Sequence, residues 1–92
     1  MPIKVEIPTV LLPYTNGQRA VHAEGENLKQ VLANLTAQHP GLSSRLLTEE
    51  GQLRRFINIY VNDQDVRYRE ALDYRLTDGD VVTILPAMAG GA

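Results

Sequence analysis

Hydrophobic and polar positions alternate at the start of the chain. Ile3, Val5 and Ile7 are interleaved with Lys4 and Glu6, a period of two that predicts a strand with one buried face. Pro8 and Pro13 bracket Thr9–Leu12, so the strand is broken or held at an edge there. Thr15-Asn16-Gly17 predicts a tight turn, because Asn-Gly tolerates positive φ angles, and Arg19–Ala23 returns as a second strand. The opening third therefore reads as a β-hairpin. The period then changes. Leu28, Val31, Leu32 and Leu35 fall on one side of a helix, with Lys29, Gln30, Asn34 and Gln38 on the other. Asn27 is placed to cap its start, and Pro40-Gly41 stops it.

Leu42 and Leu46 allow a further helical turn over residues 43–47, and Thr48–Gln52 reads as a loop. Phe56–Val61 is the strongest strand signal, with Ile57, Ile59 and Val61 facing one way and Phe56, Asn58 and Tyr60 the other. Asn62–Asp65 predicts a turn, Val66–Tyr68 a brief strand, and Leu72 and Leu76 anchors in an irregular stretch. Asp78-Gly79-Asp80 turns the chain into a last strand, Val81–Leu85. The predicted order is β-β-α-β-β-β. One amphipathic helix cannot bury its stripe alone and must lie across one face of a mixed sheet, with the apolar first and last strands at its centre. This α+β arrangement is the β-grasp, or ubiquitin-like, architecture. It predicts a domain over residues 1–86 and a flexible C-terminal tail over residues 87–92.

Composition narrows the chemistry. Ninety-two residues supply one small core, and nine basic against eleven acidic side chains leave a net charge of −2. That balance argues against nucleic acid or an anionic membrane as the main partner. Apolar runs are far short of the ~20 residues that span a bilayer, and no signal peptide opens the chain, so a cytoplasmic protein is expected. The chain has no cysteine, which removes disulfides, zinc–thiolate sites and a cysteine nucleophile together. His22 and His39 lie far apart and outside any ligand spacing, so no metal site is expected. No nucleophile–base pair or carboxylate dyad stands out, and Asp63, Asp65, Asp78 and Asp80 read as turn residues. Catalytic residues are therefore not assigned, and the chain is not read as an enzyme.

The end of the chain carries the chemistry instead. Pro86 closes the last strand because it has no amide proton for the ladder. Ala87, Met88, Ala89, Gly90 and Gly91 follow, and the six residues from Pro86 to Gly91 can extend about 20 Å. Two glycines without Cβ atoms suit a narrow channel better than a packed interior.

The stretches IYVNDQDV and LTDGDVVTILP and the terminal AGG resemble the MoaD/ThiS family of sulfur-carrier proteins. The opening IPTVLLPYTNGQ is similar to the actinobacterial branch that serves cysteine synthase and thiosugar pathways. The resemblance implies that Gly91 is adenylated by an E1-like enzyme using ATP, with no cofactor bound to the carrier itself. Sulfide or a persulfide then displaces AMP, leaving a thiocarboxylate that donates sulfur to an accepting synthase. Ala92 departs from a family pattern that ends on Gly-Gly. It reads as a residue removed before activation, by a zinc metalloprotease of the JAMM type, or as an appended residue that the activating enzyme tolerates.

The sheet face away from the helix is expected to meet the activating enzyme, presenting Phe56, Asn58, Tyr60, Thr83 and Leu85. The alternative places Phe56 and Leu85 at the core margin. Arg54, Arg55, Arg67, Arg69 and Arg75 are candidate charge contacts. Beside the carrier reading stand a ubiquitin-like modifier joined to lysines through Gly91, a molybdopterin-synthase small subunit, and a plain β-grasp interaction domain.

Overall fold

A computed structural model describes residues 2–66 and 71–86. Strand β1 (Pro2–Glu6) pairs antiparallel with β2 (Ala20–Glu24), and helix α1 (Leu28–Gln38) follows. After a short helix α2 (Ser43–Leu46) come β3 (Ile57–Val61), β4 (Gln64–Asp65) and β5 (Val81–Pro86). The sheet order is β2-β1-β5-β3-β4, with β5 parallel to β1 and antiparallel to β3. This is the mixed sheet and single crossing helix of the β-grasp, and the last strand occupies its middle.

The alternation in β1 and β5 is realised as read. Ile3, Val5, Val82 and Ile84 have no exposed surface, and they meet Leu28, Val31, Leu32 and Leu35 of α1 in one core. Leu42, Leu46, Val66 and Leu76 close that core around its rim. Asn27 caps α1 by accepting from the Gln30 amide at 2.8 Å, while the Gln30 side chain accepts from the Glu26 amide at 2.9 Å. Each bond satisfies a main-chain donor near the helix start.

Several boundaries differ from the sequence reading, each for a local reason. Thr9–Tyr14 forms a 3₁₀ helix rather than an interrupted strand. Pro8 accepts from the Leu11 amide at 2.9 Å, and the tight turn swings Leu11 into the core. The Asn16-Gly17 turn is present, with both residues at positive φ. β3 begins at Ile57, because Phe56 lies in the preceding turn. A strand forms at Gln64–Asp65, inside the predicted turn, and of the strand expected at 66–68 only Val66 is described, just past its end. Asn62 and Asp63 both adopt positive φ, as a two-residue hairpin of the I′ kind requires, so Val61 pairs directly with Gln64. Val66 is buried with its amide on the Ile59 carbonyl, and Arg67–Glu70 lie outside the described residues.

Gly25 sets the approach of β2 to α1. A Cβ at this position would lie 2.7 Å from the Val31 main-chain nitrogen and 2.9 Å from Gln30 Cβ. Main chain cannot yield as a side-chain tip can, so Gly25→Ala is expected to cost about 1–3 kcal/mol, read as a lowered midpoint in urea unfolding.

Candidate functional site

The site is built on β5 and its neighbours. On the face away from α1, the register lines up Ala20, Glu6, Thr83, Tyr60 and Asp65 in one row across all five strands. A second row runs His22, Lys4 and Val81, and Leu85 stands opposite Asn58. Thr83 donates its hydroxyl to Glu6 Oε1 at 3.1 Å, and Lys4 Nζ lies 3.8 Å from Glu6 Oε2. The face is thus divided. Its β1–β2 half is charged, and its β3–β5 half is neutral and partly apolar.

Asn58, Tyr60 and Thr83 are half-buried on this face, Leu85 is 43% exposed and Phe56 is 58% exposed. Neither Leu85 nor Phe56 belongs to the core, which stops at Ile57 and Ile84. Ile57 pairs with Pro86, so Phe56 and Leu85 each adjoin one member of the pair that ends the central strand. Two exposed apolar side chains therefore flank the root of the terminal segment. Ala87, Met88, Ala89, Gly90, Gly91 and Ala92 lie outside the described residues, as do Arg67 and Arg69. Arg54 donates Nε–H to the Ser44 carbonyl at 2.7 Å, which ties it to α2, and Arg55 and Arg75 are exposed.

The other end of β5 is held by a clamp that the sequence reading missed. Asn62 donates its amide to the Val81 carbonyl at 2.9 Å, and its side-chain oxygen accepts from the Val81 amide at 3.0 Å. The Asn62 side-chain nitrogen donates to Asp80 Oδ1 at 2.8 Å, and the Thr77 amide donates to Asp80 Oδ2 at 2.8 Å. Gly79, at positive φ, completes the turn through the Asp80 amide on the Thr77 carbonyl. Partial burial pushes the Asp80 carboxyl up, and the bonds from Thr77 and Asn62 more than offset it, leaving its pKa lowered. The two motifs that suggested the family, around Asn62 and around Asp80, meet here. Only their joint presence hinted at it, since Asn62 and Asp80 are 18 residues apart.

Among the described residues no group of histidine or acidic side chains is arranged to hold a metal ion, and no helix is long and apolar enough to cross a membrane. The ThiS family profile matches residues 5–91. The chain belongs to the ThiS family. That is the sulfur-carrier family its motifs resemble, and the match runs from within β1 to beyond β5. The Mycobacterium tuberculosis sulfur carrier protein CysO is 50% identical over 93 residues, covering 99% of this chain and all of the relative. A chain of the Amycolatopsis orientalis BexX/CysO complex superposes with a TM-score of 0.88 at 45% identity, covering 97% of this chain and 99% of that one. The Haloferax volcanii small archaeal modifier protein 3 is 31% identical, covering 82% of this chain and 84% of its own.

Two outcomes follow from the geometry. Asp80→Ala is expected to lower stability by about 0.5–1.5 kcal/mol at pH 7, because its bonds to Asn62 and Thr77 are exposed and screened by solvent. A depressed carboxyl stabilises above its unfolded value of about 3.9 and loses that contribution as pH falls through its folded value, so the deficit shrinks at pH 3. Urea midpoints of both proteins at the two pH values measure it. Leu85→Glu, at an exposed position, is expected to change the unfolding free energy by less than about 1 kcal/mol; a melted domain would refute the surface assignment.

Proposed function

We propose that this chain is a sulfur carrier that works through Gly91 as a terminal thiocarboxylate. One observation carries the reading: the central strand ends at Pro86, paired with Ile57, and the exposed apolar side chains Leu85 and Phe56 each adjoin one member of that pair. An activating enzyme of the E1 type would bind those side chains and receive residues 87–91. The Gly91 carboxylate attacks the α-phosphorus of ATP and releases pyrophosphate, giving an acyl adenylate. Hydrosulfide, or a persulfide followed by reduction, attacks the acyl carbon and expels AMP. The resulting thiocarboxylate is ionised near neutral pH and is a good nucleophile toward the acceptor of a synthase. The chain is a co-substrate in this scheme, and catalysis and ATP belong to its partners.

The resemblance of the opening segment to the actinobacterial branch favours a cysteine-forming or thiosugar-forming synthase as the acceptor's enzyme, and the mycobacterial relative is itself named a sulfur carrier protein. Residues 1–86 then act as the recognised domain and 87–92 as the working segment. Ala92 moves the carboxylate one residue beyond Gly91, so a JAMM-type metalloprotease would remove it first. The setting is the cytoplasm, where ATP and sulfide are available. A second reading is favoured by the archaeal modifier relative: conjugation of Gly91 to lysines of other proteins after the same adenylation. Isopeptide-linked ladders in cell extracts separate the two.

Intact-mass spectrometry tests the proposal on the full-length chain and on a form ending at Gly91, each incubated with an E1-like enzyme, ATP and sulfide. Only the shorter form is expected to gain the mass of one oxygen-to-sulfur exchange, and Leu85→Glu in that form is expected to abolish the gain. Reaction of the full-length chain with Ala92 retained would remove the processing step. Failure of both forms would remove the carrier reading.

A further inference from the structure

The two edges of the sheet are closed by different means. β4 has two residues, too few to template another strand, whereas β2 has five and borders the opposite edge. The Ile7 amide donates to the Arg19 carbonyl at 2.8 Å, which sets the phase of the β1–β2 ladder. Residues 19, 21 and 23 therefore turn their main-chain groups toward β1, and Ala20, His22 and Glu24 turn theirs outward. Two of those outward carbonyls are occupied from the helix. Asn34 donates its side-chain amide to the Glu24 carbonyl at 2.5 Å, and Gln38 donates to the His22 carbonyl at 3.1 Å.

The spacings match. Four helical residues rise about 6 Å and two strand residues about 6.6 Å, so amides one turn apart on α1 reach successive outward carbonyls of β2. Both side chains are exposed and contribute nothing to the core stripe of Leu28, Val31, Leu32 and Leu35. Neither position needs an amide for helix formation, since alanine is the better helix former at both.

We propose that Asn34 and Gln38 guard the β2 edge against strand addition, and that the strand they exclude is β2 of a second copy of this chain. An antiparallel β2–β2 pair centred on His22 would set Ala20 opposite Glu24 of the other copy, so no two carboxylates face each other and the edge is self-compatible. A second strand would need the same two carbonyls that the amides hold. This inference is independent of the sulfur-carrier reading.

The test is sedimentation equilibrium of the full chain, the double variant Asn34→Ala/Gln38→Ala, and the same double variant carrying His22→Pro. The His22 amide points away from β1, so proline there blocks edge pairing without removing a β1–β2 bond. The unmodified chain is expected to stay monomeric, and the double variant, without the two side-chain amides on the edge, to self-associate at least about tenfold more tightly. Adding His22→Pro is expected to restore the monomer, and circular dichroism reports that all three are folded. A folded double variant that remains monomeric overturns the proposal, and so does a dimer that survives His22→Pro.

Discussion

Parallel pairing of β1 with β5 is the constraint on which the rest of this molecule depends. Lys4 aligns with Val81 and Glu6 with Thr83, so the first and last strands of the domain lie side by side. Strands so paired cannot be joined by a tight turn, and everything between them serves as the crossover. The helix then covers the face on which Ile3, Val5, Val82 and Ile84 converge, where its own stripe of Leu28, Val31, Leu32 and Leu35 is buried with them. β3 takes the remaining side of β5, and the last strand becomes the middle of the sheet. The chain beyond Pro86 continues from a strand that is held firm by a partner on each side.

That firmness is applied at both ends of β5. Asn62, Asp80 and Thr77 hold its beginning with main-chain and charge-assisted bonds, and the Ile57–Pro86 pair closes its end. The Asn-Asp and Asp-Gly-Asp sequences serve first as turn formers, but their side chains also join two turns that are distant along the chain. A residue type suited to positive φ or to an Asx turn is also a hydrogen-bonding one, so a single choice meets both needs. On the open face, charge gathers over β1 and β2, while β3 and β5 present the neutral Asn58, Tyr60 and Thr83 with the apolar Leu85. Within the neutral half, Leu85 stands next to Pro86, where the described part of β5 ends.

Much of this was legible in order along the chain. The period-two runs at residues 3–7 and 57–61, the helical stripe from Leu28 to Leu35, the Asn27 cap and the Asn16-Gly17 turn all rest on interactions within a few residues, where propensity and spacing suffice. The faces of β3 and β5 were legible for the same reason, and Thr83, Tyr60, Asn58 and Leu85 stand together as alternation requires. Boundaries differed where a tight turn competed with a strand: the 3₁₀ helix after Pro8, Phe56 in a turn, and Gln64–Asp65 paired within the expected turn, behind a two-residue hairpin.

The sequence by itself determined the kinds of the main strands and of the long helix, the side of each that is buried, the absence of cysteine and the Gly90-Gly91 pair before Ala92. These follow from local periodicity and from composition, which need no knowledge of neighbours. Only the tertiary structure decided that Asn62 meets Asp80, that Thr83 meets Glu6, and that Asn34 and Gln38 reach the carbonyls of β2. Each of those contacts joins side chains or carbonyls that are ten or more residues apart, and polar side chains of the same type would serve equally well facing solvent. Register and crossing geometry choose between those fates, and both are set by the packing of the whole core.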